Sequence, residues 1–491
     1  MTEDDAGDDA DTGTDAGAED DLSRVVAGVR DRVTPDVEEA TRLAEAADDL
    51  VARVEAALAD LPVDVEDVDT VQVGSTARGT WLAGDRDIDL FVRFPGELPR
   101  DDLESYGLQV GRAVLPDGRE EFAEHPYVTG AYDGFDVDLV PCYDVPDATG
   151  IRSAVDRTPF HNAYLAARLD EDLAGDVRVF KRFLKAIGAY GSDLRTEGFS
   201  GYLAELLVFE HGGFVPLLEA AADWHPPVRF DPEDHGRAAF DHPLVVIDPT
   251  DPERNVAAVC SAENVARLQH YARDLLADPR EGLFFRDESG PEHLDADAVR
   301  EHVRRRETTP VAVVFDTPDV VEDQLYPQLR KSLDGIQSEL TRRGFGSIRA
   351  ETFAAETTDE LGRQAFGRAV LLVELEVAKL PAVERHEGPP VHVDEHARGF
   401  YEAYADDPDV YGPFLDGDRY VVEREREFTS AVGFVESDSL FDVALGVHVA
   451  ESLNEGYEVL AGEEVAELAE HDGVDGEAFG VELARYLDPE P

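Results

Sequence analysis

The amino-acid sequence predicts an α+β protein made of several domains. Its 491 residues suffice for roughly three domains of about 150 residues each. Apolar residues make up 43% of the chain, which is enough for several buried cores and excludes wholesale disorder. The apolar spacing also changes along the chain, from the three- and four-residue steps of helices to the alternation of strands. These observations favour a chain in which mixed and mainly helical domains follow one another.

The head of the chain predicts an acidic tail followed by a mixed α/β domain. Residues 1–22 lack an apolar period and are expected to be disordered, and residues 23–165 are expected to form the head domain. The predicted elements are, in order, a helix at 36–60, a strand at 70–73, a tight turn into a short helix at 74–79, a strand at 87–94, a helix at 101–114 and a strand at 135–140 that Pro141 stops.

The rest of the chain predicts a helical central domain at 166–285 and a C-terminal α/β body and tail at 286–491. Helical spacing is strongest at 177–190, 198–211 and 264–278. The C-terminal elements predicted are a strand at 311–315, a helix at 324–343, a strand at 369–379, a polar alternating segment at 419–434 and a final helical region to residue 487.

The charge of the chain is strongly acidic. It has 109 acidic and 44 basic residues, a formal net charge of −65, and only four of the basic residues are lysines. The acidic residues are spread along the whole chain, as in proteins that work in molar salt. At 1 M salt the screening length of about 3 Å mutes the self-repulsion of such a surface. We therefore predict a halophilic origin.

Membrane-spanning and secretory segments are not predicted. The longest apolar runs, such as residues 369–373, are far shorter than the roughly 20 residues that a membrane span needs. The N-terminus has neither a basic region nor an apolar region of the secretory type. Two cysteines, Cys142 and Cys260, exclude a disulfide framework and a cysteine-based zinc site. We expect a soluble, cytoplasmic protein with no membrane partner.

Two predicted strands of the head carry aspartates at alternate positions. Asp87 and Asp89 point to one face of their strand while Ile88 points to the other, and Asp138 alternates in the same way with Val137. If the two strands are neighbours, three carboxylates converge, and their repulsion favours divalent cations. Hard oxygen ligands of this kind suit Mg²⁺, and two such ions could serve a transfer reaction.

A phosphate-binding turn precedes these aspartates. Ser75 and the backbone amides after Gly74 lie at a predicted helix start, where unpaired N–H groups and the helix dipole attract phosphate. Together with the carboxylates, this turn predicts binding of a nucleoside triphosphate with Mg²⁺. A Gly-Ser pair or an Asp-x-Asp pair alone is usually a loop or a solvated strand face. Asp85 and Asp136 share the alternation and remain alternatives, although Asp85 is expected in a turn.

Several motifs resemble the archaeal, or class I, CCA-adding enzymes. The resemblance covers essentially everything after the acidic tail. Its motifs lie at residues 73–82, 138–143, 153–161, 198–203, 248–249, 254–258 and 325–329. One departure is that the first metal carboxylate of the family can be Glu, whereas this chain has Asp87.

The resemblance implies a polymerase-β-like nucleotidyltransferase head and the addition of C, C and A to the 3′ end of tRNA. The substrates would be CTP, ATP and the acceptor stem and 3′ end of tRNA, with pyrophosphate released. Asp87, Asp89 and Asp138 would hold two Mg²⁺ ions, and Asp138 would also help to deprotonate the incoming 3′-hydroxyl. Whether the enzyme is a homodimer is left open.

The resemblance also implies a set of nucleotide-binding residues, Ser75, Arg78, Thr158, His161, Lys181, Tyr190 and Arg254. The first two would touch the triphosphate, the next four would bind sugar and phosphates, and the last would read the base. From the residues alone, a lysine kept at 181 in an arginine-rich chain favours a phosphate contact. Arg254 is as readily a surface ion pair with Asp251 or Glu253, and His161 and Tyr190 are as readily structural.

Other interpretations stay open. A poly(A) or poly(U) polymerase would share the same metal head, and a non-catalytic RNA-binding protein would keep it as a relict. A small-molecule nucleotidyltransferase is disfavoured by the long C-terminal half. Arginines of that half are candidates for RNA contact, or for ion pairs with acidic neighbours. They are Arg300, Arg304, Arg305, Arg306, Arg342, Arg343 and Arg349.

Overall fold

The computed structural model describes residues 15–62, 67–122, 124–236, 238–286, 293–358, 364–470 and 474–491. The chain divides into two compact units, Met1–Glu288 and Ser289–Pro491. Both units combine helices with sheets, so the predicted α+β class is confirmed. Among the described residues, no helix is long and apolar enough to cross a membrane.

The first unit contains nine α-helices and eight strands among its described residues. Its helices are α1 (Asp15–Val33), α2 (Val37–Leu58), α3 (Gly74–Arg78), α4 (Arg100–Val114), α5 (Thr158–Ala166), α6 (Glu171–Ala186), α7 (Gly201–His211), α8 (Phe214–Ala222) and α9 (Ala262–Ala277). Its strands are β1 (Asp69–Val73), β2 (Asp87–Pro95), β3 (Arg119–Phe122), β4 (Pro126–Tyr132), β5 (Phe135–Asp144), β6 (Val228–Phe230), β7 (Leu244–Asp248) and β8 (Asp251–Asn255).

Helix α1 corrects the prediction of an acidic disordered tail. Residues 1–14 lie outside the described residues, but residues 15–22 form the first turns of α1. The prediction is wrong there because the abundant acid conceals an apolar period. Its buried members, spaced by four, three and four residues, are Leu22, Val26, Val29 and Val33. They pack into the core of α6 to α9 rather than into the head, and the domain boundary at residue 165 stays a prediction.

A five-stranded mixed sheet with the order β1-β2-β5-β4-β3 forms the head. Strands β2 and β5 are parallel, and the other neighbours are antiparallel. One face is covered by α2 and α4, whose apolar stripes pack on Ile88, Leu90, Val137 and Leu139. The predicted helices at 36–60 and 101–114 and the strands at 70–73 and 87–94 are thereby confirmed.

Strand β5 continues through Pro141 to Asp144, which corrects the predicted end at Pro141. Beyond Leu139 it pairs with β2 but no longer with β4. A proline, which has no N–H to donate, is tolerated where a strand has lost one neighbour. Strands β3 and β4 were not predicted at all.

A second core in this unit is mainly helical. Helices α1, α6, α7, α8 and α9 share it with strand β7. The helices predicted at 177–190, 198–211 and 264–278 correspond to α6, α7 and α9. The small sheet β6-β7-β8 and helices α5 and α8 were not predicted. Asp248, which ends β7, is fully buried.

The second unit is built on two sheets. Its helices are α10 (Ala296–Arg306), α11 (Glu322–Arg343), α12 (Asp394–Tyr404), α13 (Ala431–Val435), α14 (Val447–Glu455) and α15 (Val474–Leu487). Its strands are β9 (Thr309–Asp316), β10 (Ser347–Thr358), β11 (Gln364–Leu375), β12 (Val383–Pro390), β13 (Val410–Asp416), β14 (Arg419–Glu425) and β15 (Tyr457–Ala461).

The larger sheet of this unit has the order β10-β11-β9-β15 and is buried on both faces. The predicted elements at 311–315, 324–343 and 369–379 correspond to β9, α11 and the second half of β11. The final region is not purely helical as predicted, because β15 adds an edge strand to β9. In the smaller sheet, the polar alternating strand β14 lies in the middle and pairs with β12 on one side and β13 on the other.

Candidate active site

Four aspartates form a block on one face of the head sheet. The parallel register of β2 and β5 aligns Asp87 with Asp136 and Asp89 with Asp138. Paired residues of neighbouring strands point to the same face, and residues two apart in a strand share a face. Ile88 lies between the first two aspartates on the opposite, fully buried face. We call these four residues the aspartate block; it contains the three predicted carboxylates and the alternative Asp136.

Burial and mutual repulsion disfavour the ionised form of these side chains. Burial raises the pKa of Asp89 to about 6, and repulsion from Asp138 and Asp87 adds to the shift. Burial also raises the pKa of Asp87, with repulsion from Asp85 next in importance. Asp85 itself closes a turn, because its N–H bonds the carbonyl of Leu82. The aspartate block therefore holds more negative charge than its surroundings neutralise.

Strands β4 and β3 extend the row of side chains beyond Asp138. Thr129 pairs with Asp138, and Arg119 pairs with Thr129. Burial raises the pKa of Asp138, whereas a hydrogen bond with Thr129 and the charge of Arg119 oppose that shift. Sequence reasoning missed both residues because it missed their strands. The signal that could have found β4 is the dipeptide Asp133-Gly134, a strong hairpin turn before β5.

The turn that precedes α3 is fitted closely to the aspartate block. Val73, the last residue of β1, pairs with Asp89, so α3 begins beside that carboxylate. Gly74 has a φ of 78°, and a Cβ added there would lie 2.2 Å from Oδ2 of Asp89. Only glycine leaves room for the carboxylate in this conformation. Ser75 follows at the second position of α3 and is half-buried.

The donor set of the aspartate block fits a divalent cation. Its carboxylates are hard oxygen donors of the kind that Mg²⁺ prefers, and their raised pKa values reflect a shortage of positive charge. In the part of the chain that the structure describes, no three His, Cys, Asp or Glu side chains are already gathered as metal ligands. The carboxylates would therefore close around an ion by side-chain rotation on a fixed pair of strands.

A buried carboxylate holds two of the predicted phosphate-binding residues. Glu205 of α7 is fully buried, and its Oε1 lies 3.0 Å from Nζ of Lys181 while its Oε2 lies 2.7 Å from a terminal nitrogen of Arg78. Thr80 donates its hydroxyl to Glu205 as well. Burial would raise the pKa of Glu205, but the two cations hold it below its usual range. We call Glu205, Lys181, Arg78 and Thr80 the Glu205 cluster.

Tyr190 and Thr158 lie close to the Glu205 cluster or to its neighbours. A Cβ added at Gly201 would lie 3.0 Å from the Tyr190 hydroxyl and 3.7 Å from Nζ of Lys181, so both groups meet at the start of α7. Thr158 begins α5 and is half-buried. Asn162, one turn later on α5, accepts a hydrogen bond of 2.8 Å from Arg78.

A second buried carboxylate joins the other two predicted residues. Oδ2 of Asp248 lies 2.7 Å from Nε2 of His161 and 2.9 Å from Nη1 of Arg254. Arg254 therefore does not pair with Asp251 or Glu253, the neighbours that the sequence offered as alternatives; Asp251 pairs with Arg157 instead. His161 and Arg254 line a cavity of about 260 Å³ together with Ser200 and Tyr202. Sequence reasoning assigned no role to Asp248.

Comparisons with known proteins match the chain along most of its length. Family models match residues 53–161 as a nucleotidyltransferase domain, residues 175–285 as the second domain of tRNA nucleotidyltransferase and residues 306–462 as the C-terminal domain of the CCA-adding enzyme. The CCA-adding enzyme of Halorubrum lacusprofundi is 61% identical over 96% of this chain and 100% of its own length. That of Haloarcula marismortui is 60% identical over the same shares.

This chain belongs to the CCA-adding enzymes. The salt-adapted archaeal sources of these relatives agree with the halophilic origin that the acidic composition predicts. Among solved structures, that of CdnC from E. coli MS115-1 with ATP overlaps with a TM-score of 0.42 at 21% identity, over 53% of this chain and 94% of the other. Nucleotidyltransferases of this kind generally use a divalent metal.

The C-terminal arginines of this CCA-adding enzyme have hydrogen-bond or ion-pair partners within the protein, most of them acidic side chains. Arg306 makes a two-pronged contact of 2.7 and 2.8 Å with the buried Glu374. Arg342 and Arg343 both bond Glu339. The others have intramolecular partners as well; they are Arg300, Arg304, Arg305 and Arg349. Contact between these arginines and RNA stays a prediction.

Proposed function

We propose that three members of the aspartate block, Asp87, Asp89 and Asp138, form the catalytic metal site at which this CCA-adding enzyme extends tRNA. The chain adds C, C and A to the 3′ end of tRNA from CTP and ATP, the activity of its family. Asp87, Asp89 and Asp138 would hold two Mg²⁺ ions in this reaction, and pyrophosphate would leave. The single observation that carries the proposal is the parallel register of β2 and β5, which aligns Asp89 with Asp138 on one sheet face.

The aspartate block would act directly on the reacting atoms. Divalent cations bound there would activate the attacking 3′-hydroxyl and steady the leaving oxygen. Asp138 would accept the proton of that hydroxyl. Thr129, which pairs with Asp138 in the register of β4 and β5, opposes the rise in the pKa of this carboxylate. Gly74 leaves the space that Asp89 needs to reach an ion.

The turn at α3 and the Glu205 cluster would bind the triphosphate. Ser75 lies beside Asp89 because β1 pairs with β2 up to Val73. Lys181 and Arg78 carry two positive charges and Glu205 one negative charge, so the cluster keeps a net positive charge. A compact net charge of this kind attracts phosphate. Thr158 and Tyr190 would add to these phosphate- and sugar-binding groups. His161 and Arg254, which line the 260 Å³ cavity, would bind the sugar and the base.

Addition to a truncated tRNA tests the proposal. The enzyme is incubated in concentrated KCl with Mg²⁺, CTP, ATP and a tRNA transcript that lacks its last three nucleotides, and the products are sized and sequenced. We expect addition to stop after three nucleotides. Asp138→Asn should abolish transfer, whereas Asp136→Asn, a matched change on the same face, should keep activity within about tenfold. Transfer by Asp138→Asn, or its loss in Asp136→Asn, would show that the metal ligands are assigned wrongly.

The length of the product separates the proposed function from its rival within the same class. Runs of added nucleotides beyond three would instead indicate a tailing polymerase.

The cytoplasmic location and the homodimer stay predictions. Sedimentation velocity in concentrated KCl distinguishes a monomer from a dimer.

A further inference from the structure

Asp248 makes an unusually complete set of contacts for a residue without an assigned role. Its Oδ1 accepts hydrogen bonds of 2.9 Å from the backbone N–H of Thr250 and 2.8 Å from the Thr250 hydroxyl. Its Oδ2 faces His161 and Arg254. Burial would raise the pKa of Asp248, but the hydrogen bonds from His161 and Thr250 hold it below its usual range. Asp248 is therefore ionised and accepts hydrogen bonds at both oxygens.

An ionised carboxylate fixes which nitrogen of His161 carries a proton. A carboxylate can only accept, so the 2.7 Å contact requires a hydrogen on Nε2 of His161. Burial lowers the pKa of His161, although Asp248 opposes that shift. The imidazole is therefore neutral near pH 7, with Nε2 as the donor and Nδ1 as an acceptor. Among the described residues, Nδ1 of His161 has no hydrogen-bond partner.

The ring of His161 is also held in place. The ring of Tyr202 stacks on it with centroids 3.9 Å apart and planes 13° from parallel. One edge of the imidazole is bonded to Asp248 and one face is covered by Tyr202, while the residue still lines the cavity. Nδ1 is thus presented in a defined direction, as a hydrogen-bond acceptor that a ligand must satisfy with a donor.

Arg254 supplies the complementary donors on the same wall. It bonds Asp248 through one terminal nitrogen, which leaves other N–H groups of the guanidinium available within the described structure. About a third of its side chain, 36%, is exposed. The wall therefore offers one acceptor and several donors, and the shared oxygen of Asp248 sets their spacing.

We propose that Asp248 is a positioning residue that makes His161 an acceptor for a ribose hydroxyl of CTP and ATP. This inference rests on the proposed function and deepens it. A phosphate oxygen of a nucleoside triphosphate has no hydrogen to donate at neutral pH, so it cannot satisfy Nδ1. A ribose hydroxyl and an exocyclic amino group of the base can both donate to it. The ribose hydroxyls have the same position relative to the triphosphate in CTP and in ATP, whereas the amino groups of cytosine and adenine lie on rings of different size. Asp248 acts through His161 and Arg254 and does not itself touch the nucleotide.

The protonation of His161 can be measured without any activity assay. Histidine labelled with ¹⁵N gives imidazole shifts that distinguish the two neutral tautomers from the charged ring, and His161→Gln identifies the signal. We expect the neutral Nε2–H form at pH 7 in concentrated KCl. A charged ring, or a proton on Nδ1, overturns the proposal whatever the variants do.

Kinetics test the role of the ribose hydroxyl. In Asp248→Asn the amide can donate to Nε2 and so reverse the tautomer. We expect the KM for CTP and for ATP to rise by about tenfold, with kcat changed by less than about threefold. Wild type should prefer CTP to either 2′-deoxy-CTP or 3′-deoxy-CTP by about tenfold, and Asp248→Asn should lose that preference. If wild type and Asp248→Asn discriminate equally between CTP and its deoxy analogues, the proposal is overturned.

A matched control separates this proposal from the proposed function. Asp251→Asn makes the same change three residues away, at a carboxylate that pairs with Arg157, and should keep the KM for CTP within about twofold. If wild type and Asp251→Asn fail to add CMP to tRNA, the proposed function is wrong. If they are active and Asp248→Asn matches them, only the role of Asp248 is wrong. Thermal unfolding of each variant checks that it is folded.

Discussion

The aspartate block and the Glu205 cluster lie in the same unit of the protein but have opposite imbalances of charge. In the aspartate block, four carboxylates share a sheet face, and burial with repulsion raises the pKa values of Asp87, Asp89 and Asp138. In the Glu205 cluster, one carboxylate meets two cations and a hydroxyl. The first is short of positive charge, whereas the second carries a small excess of it.

This difference separates carboxylates whose charge the protein leaves uncompensated from a carboxylate whose charge its own cations compensate. An uncompensated carboxylate destabilises the metal-free fold. Its removal should therefore increase the stability of the metal-free protein while it abolishes activity. Removal of a carboxylate that compensates two buried cations leaves those cations buried without a counter-charge, which destabilises the fold. Substitutions in the two regions should therefore change the stability of the metal-free protein in opposite directions.

The largest effect is expected at Asp89. Asp89→Asn should lower the rate of nucleotide addition by about a thousandfold, since metal ions contribute several kcal/mol to such reactions. In EDTA its melting temperature should equal or exceed that of wild type, because repulsion with Asp138 and Asp87 is removed. Thermal unfolding in concentrated KCl measures this. A variant that melts several degrees lower in EDTA would contradict the view that the block is uncompensated.

Glu205 should show the reverse pattern. Glu205→Gln leaves Lys181 and Arg78 buried without their carboxylate, which should lower the free energy of unfolding by about 3–5 kcal/mol. Urea unfolding at fixed KCl measures the loss. The matched control is Glu210→Gln, an exposed position on the same helix, with an expected change within about 0.5 kcal/mol. If both variants unfold alike, the cluster does not stabilise the fold.

The aspartate block could be predicted in part because its decisive pattern is local. Alternation within a strand places Asp87 and Asp89 on one face from the sequence alone. The pairing of β2 with β5 joins residues about fifty positions apart. The sequence does not show that these strands are neighbours, so the convergence of the three carboxylates was predicted only for the case that they are. Glu205 was beyond reach because its partner Arg78 is 127 residues away. A lone acid within the apolar run of α7 was the available signal.

The missed strands have different physical reasons. The dipeptide Asp133-Gly134 indicates a hairpin turn between β4 and β5. Both residues have the positive φ that such a turn requires, 50° and 84°. The signal was present but was not used. Strand β3 is short and mostly exposed, so little apolar pattern marks it. The helical turns of residues 15–22 were concealed by acid that the halophilic composition places on every exposed face.

A glycine substitution tests how closely the aspartate block is fitted. Gly74→Ala forces a Cβ to within 2.2 Å of Oδ2 of Asp89 at a φ of 78°. It should cost about 1–3 kcal/mol of stability through strain and lower activity by about a hundredfold through displacement of Asp89. Gly79→Ala is the control, because Gly79 has a similar φ of 69° but no atom near its absent Cβ. It should lose stability with little loss of activity. Equal activity losses would exclude the steric explanation.

The smallest expected effect is a dependence of Mg²⁺ stabilisation on pH. The pKa of Asp89 is raised from 3.8 to about 6 in the folded, metal-free protein. A carboxyl whose pKa is higher in the folded state stabilises the fold while it is protonated, and this contribution is lost as pH rises from about 4 through 6. Mg²⁺ binds the ionised form and should restore stability where it has been lost.

The melting temperature should therefore rise on addition of Mg²⁺ by a few degrees more at pH 7.5 than at pH 5. Unfolding scans in concentrated KCl, with MgCl₂ or EDTA at each pH, measure the four values that are needed. Asp89→Asn should lose most of the difference, since it has no proton to release at this position. An equal Mg²⁺ shift at both pH values would mean that the ion binds elsewhere, and that the shortage of positive charge in the aspartate block is met by the protein itself.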